Sequence, residues 1–472
     1  MDPASLLAAE QVVSTTVEGA VVAGIGLAQA THPLSATFTR ITSEAFLPRF
    51  NHSLTVVAGK AYLFGGEASP GELASDEIHI VRIPLTKSKG DGEPEYKCVP
   101  SLGAGENGEV PGPRSGHTAC AVGEKLYVYG GRGKDLEPLE EKGRIWVFNT
   151  TTLHWSYLDS LTEFYPSARY HHSCVSSELP FSSINAPHTT TYTEQIKSAA
   201  SKLPSLLSKA TPSSEPHGTL IICGGHSSSS ELLDDAYTFT IPSQSWSTLP
   251  SPPSPSGSPP ALALANNTIY LISNTTSSAD LGSEIHSLPL IRSTYKDARG
   301  ENDLALTAKQ DKWTTISFPT NPLAPGPRPR KGAGLIPVTT GHGREYLLYF
   351  LGEQASSPTS TETKTSGDHL FYSDTFSYQL PLPAMSAAGI KDATRSTLGI
   401  ATGAETWAEV KVVASEEGKE GLEKEGKSHP GPRGWFGCAG LGKDVDGAGV
   451  VVWGGVNAKG EVEGEGWVVS VK

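Results

Sequence analysis

The sequence predicts an all-β fold, a six-bladed β-propeller whose last blade is closed by an N-terminal strand. Three observations predict it. The composition is rich in turn formers, a motif recurs at near-regular spacing, and one strand too many precedes the first repeat while one is lacking after the last. Among 472 residues, Gly 50 and Pro 35 supply the turns, while charged residues reach only 18%. That leaves little material for long solvated helices.

The repeat fixes the unit. Pro48-Arg-Phe-Asn-His52 leads into an apolar run, a Gly turn, a second apolar run and Gly65-Gly66. Pro113-Arg-Ser-Gly-His117 leads through the same pattern to Gly130-Gly131, in register and without a gap. Ala168-Arg-Tyr-His-His172 begins a third copy, which resumes after an insertion and ends at Gly224-Gly225. The back halves also match: residues 76–81, 143–148 and 235–240 are third strands, and Trp155 and Trp246 mark fourth strands. A four-stranded unit of this kind exposes two apolar faces, which only neighbouring units around an axis can bury.

Blades 1, 2 and 3 then span 44–100, 111–159 and 166–250. Blade 4 is degenerate: residues 260–272 give two strands, Ser273-Asn274 replaces the double Gly, and Trp313 marks the last strand. Blade 5 starts at Pro327, keeps one glycine (Gly352), places its third strand at 372–379 and its last near 406–412. Blade 6 starts at Pro432 and includes Gly454-Gly455 and residues 466–471; residues 36–41 are expected to complete it and remove an exposed edge. Residues 1–35 read as a short helix, with Asp2 as N-cap and Pro3 at its first position, followed by an arm. Residues 177–216 (with a helical patch at 193–210), 353–368 and 413–430 read as polar insertions.

The order of the Arg…His start, double Gly, aromatic strand and late Trp resembles the kelch repeat of the galactose oxidase-like propeller superfamily, over roughly residues 36–472. The resemblance implies that loops leading into the innermost strands surround the mouth of a central channel.

Net charge is −13, spread along the chain, which argues against a nucleic-acid partner. Five cysteines without C-x-x-C spacing suit free thiols of a reducing, cytoplasmic setting and give no zinc pattern. No apolar run reaches the length of a membrane span. Residues 20–30 look like the core and cleavage site of a secretory signal. However, no basic residue precedes Arg40, and Asp2, Glu10 and Glu18 are acidic, which argues against secretion.

Chemistry was sought motif by motif. A copper centre of the galactose oxidase kind needs convergent His and Tyr ligands, but His171 and His172 are adjacent and would face opposite ways in a strand. Glu72, Asp76 and His79 resemble the iron motif of the superfamily's specifier proteins, with a spacing that departs from theirs by one residue; the same residues also fit an ordinary turn and third strand. The expectation is therefore no metal, no cofactor and no catalytic residue.

The remaining signal lies in the loops. Arg49, Arg114, Arg169, Arg328, Arg330 and Arg433 recur before the inner strands. Two residues after the blade-opening Arg the chain varies: Asn51, Gly116, His171 and Trp435. Glu67, Arg132 and His226 follow the double glycines. Asn51, Arg114, Arg132, Arg169, His171, Arg330, Arg433 and Trp435 are the candidate binding residues. If the guanidinium groups face the mouth, they favour a carboxylate or acidic peptide; if they hydrogen-bond backbone as parts of the repeat, the variable neighbours carry the binding. The functional expectation is a monomeric intracellular adaptor that holds an acidic or polar segment of a protein partner on the loop face. The alternative is an enzyme with a small acidic or sugar substrate in the channel, as the resemblance to kelch-like sugar-acid isomerases implies.

Overall fold

The computed structural model describes residues 33–41, 46–83, 95–105, 108–179, 217–253, 259–273, 284–296, 302–318, 326–340, 343–354, 370–382, 387–400, 402–413, 429–442 and 448–472. The expected N-terminal helix, the helical patch at 193–210 and nearly all of the three insertions lie outside the described residues.

Blades 1 to 3 are four-stranded antiparallel sheets. Their inner strands are Ser53–Val57, Thr118–Val122 and Ser173–Ser177. Each pairs with a buried second strand ending at the double Gly, as Ser53 to Phe64 or Thr118 to Tyr129. The late tryptophans fill the seams between blades. Trp155 lies 5.1 Å from Phe64 of blade 1 and 5.1 Å from Phe148 of its own blade; Trp246 repeats this with Tyr129 at 5.1 Å and Phe239 at 5.0 Å. Each such ring withdraws enough apolar surface from water to stabilise the ring by about 1.5–3 kcal/mol.

The double glycines are demanded by the same seams. Gly65 and Gly130 have φ of 59° and 62°. A Cβ on Gly65 would stand 2.5 Å from the Arg114 carbonyl oxygen of the next blade, and one on Gly130 2.7 Å from that of Arg169. The amides of Gly66, Gly131 and Gly455 donate to the carbonyls of Arg114, Arg169 and Arg49, each in the next blade. Glycine takes this backbone angle without strain and permits the approach; at the same place in blade 5, Leu351 takes the angle (φ 55°) with a side chain.

Blade 6 closes as expected. Ser35–Arg40 runs antiparallel to Gly466–Val471, with Ala36 opposite Val471 and Arg40 opposite Trp467. Lys411–Val412, expected to belong to blade 5, instead pairs in parallel with Ser35–Ala36. Only Trp407–Glu409 completes blade 5. Two features were not foreseen. The third strand of blade 4 extends through Ile285–Lys296 and pairs with Asn302–Ala308 as a long hairpin, and a helix at Ala387–Thr397 precedes the last strand of blade 5. Among the described residues no helix is long and apolar enough to cross a membrane.

Candidate functional site

One position per blade builds the channel mouth. The residue before the inner-strand motif has a left-handed backbone in five blades: Asn51 (φ 54°), Gly116 (63°), His171 (51°), Gly332 (55°) and Trp435 (61°). Their amides and carbonyls form a chain of hydrogen bonds around the axis. Trp435 N–H donates to Gly332 (3.0 Å), Asn51 to Trp435 (3.0 Å), Gly116 to Asn51 (2.9 Å) and His171 to Gly116 (2.7 Å). Blade 4 has Pro259 at this place, which has no N–H and cannot take positive φ.

Asparagine and glycine adopt this conformation readily, whereas larger side chains pay about 1–2 kcal/mol for it. His171 and Trp435 are held there nonetheless. They belong to blades 3 and 6, which stand opposite each other in a ring of six, and their rings meet with centroids 5.2 Å apart. Each lies beside a glycine of the preceding blade: a Cβ on Gly116 would stand 2.6 Å from His171 Cδ2, and one on Gly332 2.8 Å from Trp435 Cδ2. Two aromatic groups thus cap the channel, and two glycines make room for them.

A second layer supports the cap. Trp435 Nε1 donates to Glu353 at 2.9 Å. Arg132 pairs with Glu67 at 2.9 Å, donates to Ser115 Oγ and lies over the Tyr170 ring. His226 stacks on Tyr170 at 5.3 Å. Burial opposes the ionisation of Glu67, but hydrogen bonds from Arg132, the Gly71 amide and Ser115, together with the Arg132 charge, hold its carboxyl below the usual range. Burial, then the Arg132 charge and the neighbouring His226, push His171 down to about 3. Its imidazole is therefore neutral at physiological pH, a hydrogen-bonding group rather than a cation.

Below the cap lies a cavity of about 220 Å³, walled by one inner-strand residue from each blade: Leu54, Ala119, Cys174, Leu262, Leu335 and Cys438. The repeat histidines brace this wall. His117 Nε2 meets Ser53 Oγ at 2.9 Å, and His172 Nε2 meets Thr118 Oγ1 at 2.8 Å. His52 faces Gly437, which has no hydroxyl, and among the described residues neither of its buried ring nitrogens has a hydrogen-bond partner.

The repeat arginines take a different place. Arg114, Arg169, Arg330 and Arg433 are at most 1% exposed. Each donates Nη1 to the carbonyl at the end of its own blade's second strand: Gly130, Gly224, Leu351 and Gly454, all at 3.0 Å. Glu141, Asp235 and Asp374 accept from Nη2 of the first three, whose Nε groups donate to the Gly112, Ser167 and Arg328 carbonyls, and Glu463 lies 3.8 Å from Arg433. Arg49 repeats the carbonyl bond to Gly65 and turns its second arm to His79. Of Arg328 and Arg330, only Arg330 is buried in this frame; Arg328 is exposed. The fold thus brings Asn51, His171 and Trp435 together at the mouth with Arg132 beside them. The guanidinium groups of Arg114, Arg169, Arg330 and Arg433 lie within the blades, their charge met by carboxylates.

His79 is likewise engaged. Glu77, His79 and Cys98 bring three potential ligand atoms within 4.8 Å of one another. However, His79 Nε2 contacts Arg49 at 3.1 Å and Nδ1 contacts Tyr96 at 2.8 Å, while Glu72 is exposed and accepts from Ser69. Tyr170 and Glu353 were missed by sequence reasoning. Tyr170 precedes the mouth residue His171 and Glu353 follows Gly352, so a strict alignment of blade 5 on its single Gly352 would have flagged Glu353.

Residues 51–179 match the family described as the KLHDC2/KLHL20/DRC7 Kelch-repeats domain. With the ring of six blades, this makes the chain a kelch-repeat β-propeller protein. The chain is 34% identical over 133 residues to an N-(sulfonatooxy)prop-2-enimidothioate sulfolyase of Thlaspi arvense, covering 28% of this chain and 33% of that protein. It is 30% identical to Kelch domain-containing protein 1 of Mus musculus, covering 28% of each, and 26% identical to the human Rab9 effector protein with kelch motifs, covering 29% and 33%. The matches span about a third or less of these relatives. A structure of YjhT overlays 91% of the chain with a TM-score of 0.46 at 12% identity, a likeness too loose to argue from.

Proposed function

We propose that this propeller is a protein-interaction module that seats a polar segment of a partner protein on its loop face, centred on Trp435 and His171. The observation that carries the reading is the cap itself. Two bulky rings occupy a backbone conformation that glycine takes at Gly116 and Gly332. Strain retained at a surface opening is the mark of a site that uses it. Trp435 offers a flat anchor of the kind that dominates interfaces, and His171, Asn51, His226 and Arg132 surround it with hydrogen-bonding groups. The charge of the repeat arginines is met inside the blades, and Glu72, Glu137, Glu231 and Glu461 are exposed on the outer loops. This distribution favours a segment rich in uncharged hydrogen-bonding groups over a densely acidic one. The names of the relatives include both an effector and a lyase, and a small substrate in the cavity beside the unpartnered His52 is the second reading.

The test is a pair of variants. Trp435→Gly with His171→Gly removes both rings and relieves both backbones. Partner binding should weaken roughly thirtyfold or more, about 2 kcal/mol, with the melting temperature nearly unchanged. Full retention of binding would place the interface elsewhere.

A further inference from the structure

We propose that Cys120 and Cys174 form an oxidation site, in which a small hydroperoxide entering the channel joins them in a disulfide that ties blade 2 to blade 3. The two sulfur atoms come from neighbouring inner strands and lie 3.0 Å apart. Closing that gap to bonding distance takes about 1 Å of movement shared between two side chains. Cross-blade bonds hold the strands on either side of the pair: Thr118 Oγ1 with His172 Nε2 at 2.8 Å, and Ser176 Oγ to the Ala121 carbonyl at 2.7 Å. The thiols therefore face each other in a clamped register. The equivalent pairs at the other seams are Thr55 with Ala119, Val175 with Leu262, Ala263 with Leu335, Ile336 with Cys438, and Ala439 with Leu54. Among these inner-strand pairs this seam alone sets two thiols against each other.

The two thiols are unequal. Cys174 lines the channel cavity and is partly exposed, whereas Cys120 is buried. The hydrogen bond with Cys174 and then burial push the Cys120 thiol up, so it remains protonated behind its partner. These positions assign the roles. The Cys174 thiolate attacks a peroxide oxygen; the O–O bond breaks, water leaves after taking a proton, and Cys174 becomes a sulfenic acid. The Cys120 sulfur then attacks the Cys174 sulfur; the S–O bond breaks, and the hydroxyl leaves as water with the proton of Cys120. Two thiols lose two hydrogens and two electrons, and hydrogen peroxide is reduced to two waters. Burial pushes Cys223 and Cys438 up to about 12, which makes them poor nucleophiles. Cys98 is exposed and would instead link separate molecules. The inference does not depend on the binding reading.

The test treats the full chain carrying Cys98→Ser with hydrogen peroxide, blocks remaining thiols with an alkylating agent in denaturant, and maps the peptides. Two of the four remaining thiols should be lost, with one cross-linked peptide pair joining Cys120 to Cys174. Dithiothreitol should restore both, and the unreduced protein should melt higher than the reduced one. Cys438→Ser should leave the link intact, and Cys174→Ser should abolish it. The wild-type chain, mapped in parallel, should show the same intramolecular link, so the result does not rest on any variant folding. Four alkylated thiols after oxidation, or a link between any other pair, would overturn the proposal.

Discussion

Blade 2 and blade 4 build the same four-stranded sheet with different means. Blade 2 carries the whole motif: Arg114 bound to Gly130 and Glu141, His117 bound to Ser53, and Gly130-Gly131 against blade 3. Blade 4 has Pro259-Pro260 where blade 2 has Gly116-His117, and Ser273 where the double Gly would begin. Yet its strands Ala261–Ala265 and Thr268–Ile272 pair in perfect register, and its core residues are as buried as those of blade 2. Alternating apolar strands therefore suffice to make a blade. The Arg, His and Gly-Gly of the repeat tie strands and neighbouring blades together, whereas the chain of mouth hydrogen bonds rests on the position before the repeat His, where Pro259 has no N–H to donate.

Acid should separate the two regions most. Burial, and then the Arg114 charge, push His117 down to about 3, and burial pushes His52 and His172 well down. These groups are neutral when folded and take up protons near pH 6.5 when unfolded. Stability is thus insensitive to pH above about 6.5 and falls below it, at about 1.4 kcal/mol per pH unit for each such histidine, until the folded value is reached. Hydrogen exchange between pH 7 and 4.5 should show the inner strands of blades 1 to 3 losing protection before those of blade 4. Uniform loss would contradict the division. Next in size, Gly130→Ala should cost about 3 kcal/mol, from the left-handed backbone and the approach of the Arg169 carbonyl. The matched Ser273→Ala should cost less than about 1 kcal/mol. Denaturant midpoints of the two variants check this, and equal losses would make the double Gly dispensable. The smallest effect is expected of Pro259→Asn, which provides an N–H and tolerates positive φ. A gain of at most about 1 kcal/mol in thermal stability is expected, and a loss would show that proline holds that corner by other contacts.

The same contrast explains what the sequence made legible. Strand patterning and the double Gly located all six blades and the closing strand, because both signals are local and act through backbone geometry. The hairpin at 285–308 and the helix at 387–397 interrupt degenerate blades, where no repeat guides the alignment. Arg114 and Trp435 were grouped in sequence as mouth residues, and the reading of the arginines as parts of the repeat stood beside that one. They differ in what awaits each side chain: a carbonyl and a carboxylate 27 residues away for Arg114, and an open axis for Trp435. Nothing in the spacing of Pro-Arg reveals the carboxylate, whereas a bulky residue at a position that other blades fill with Gly or Asn is visible by comparing repeats.

The central claim, that the capped mouth is the working surface, is most directly tested by photocrosslinking in the native cell. A photoreactive phenylalanine analogue at position 435 is compared with one at Thr151, in the opposite face between blades 1 and 2. The account predicts a discrete crosslinked protein from position 435 that is absent from position 151 and competed by unlabelled propeller. The same crosslinked protein from position 151 alone would contradict it.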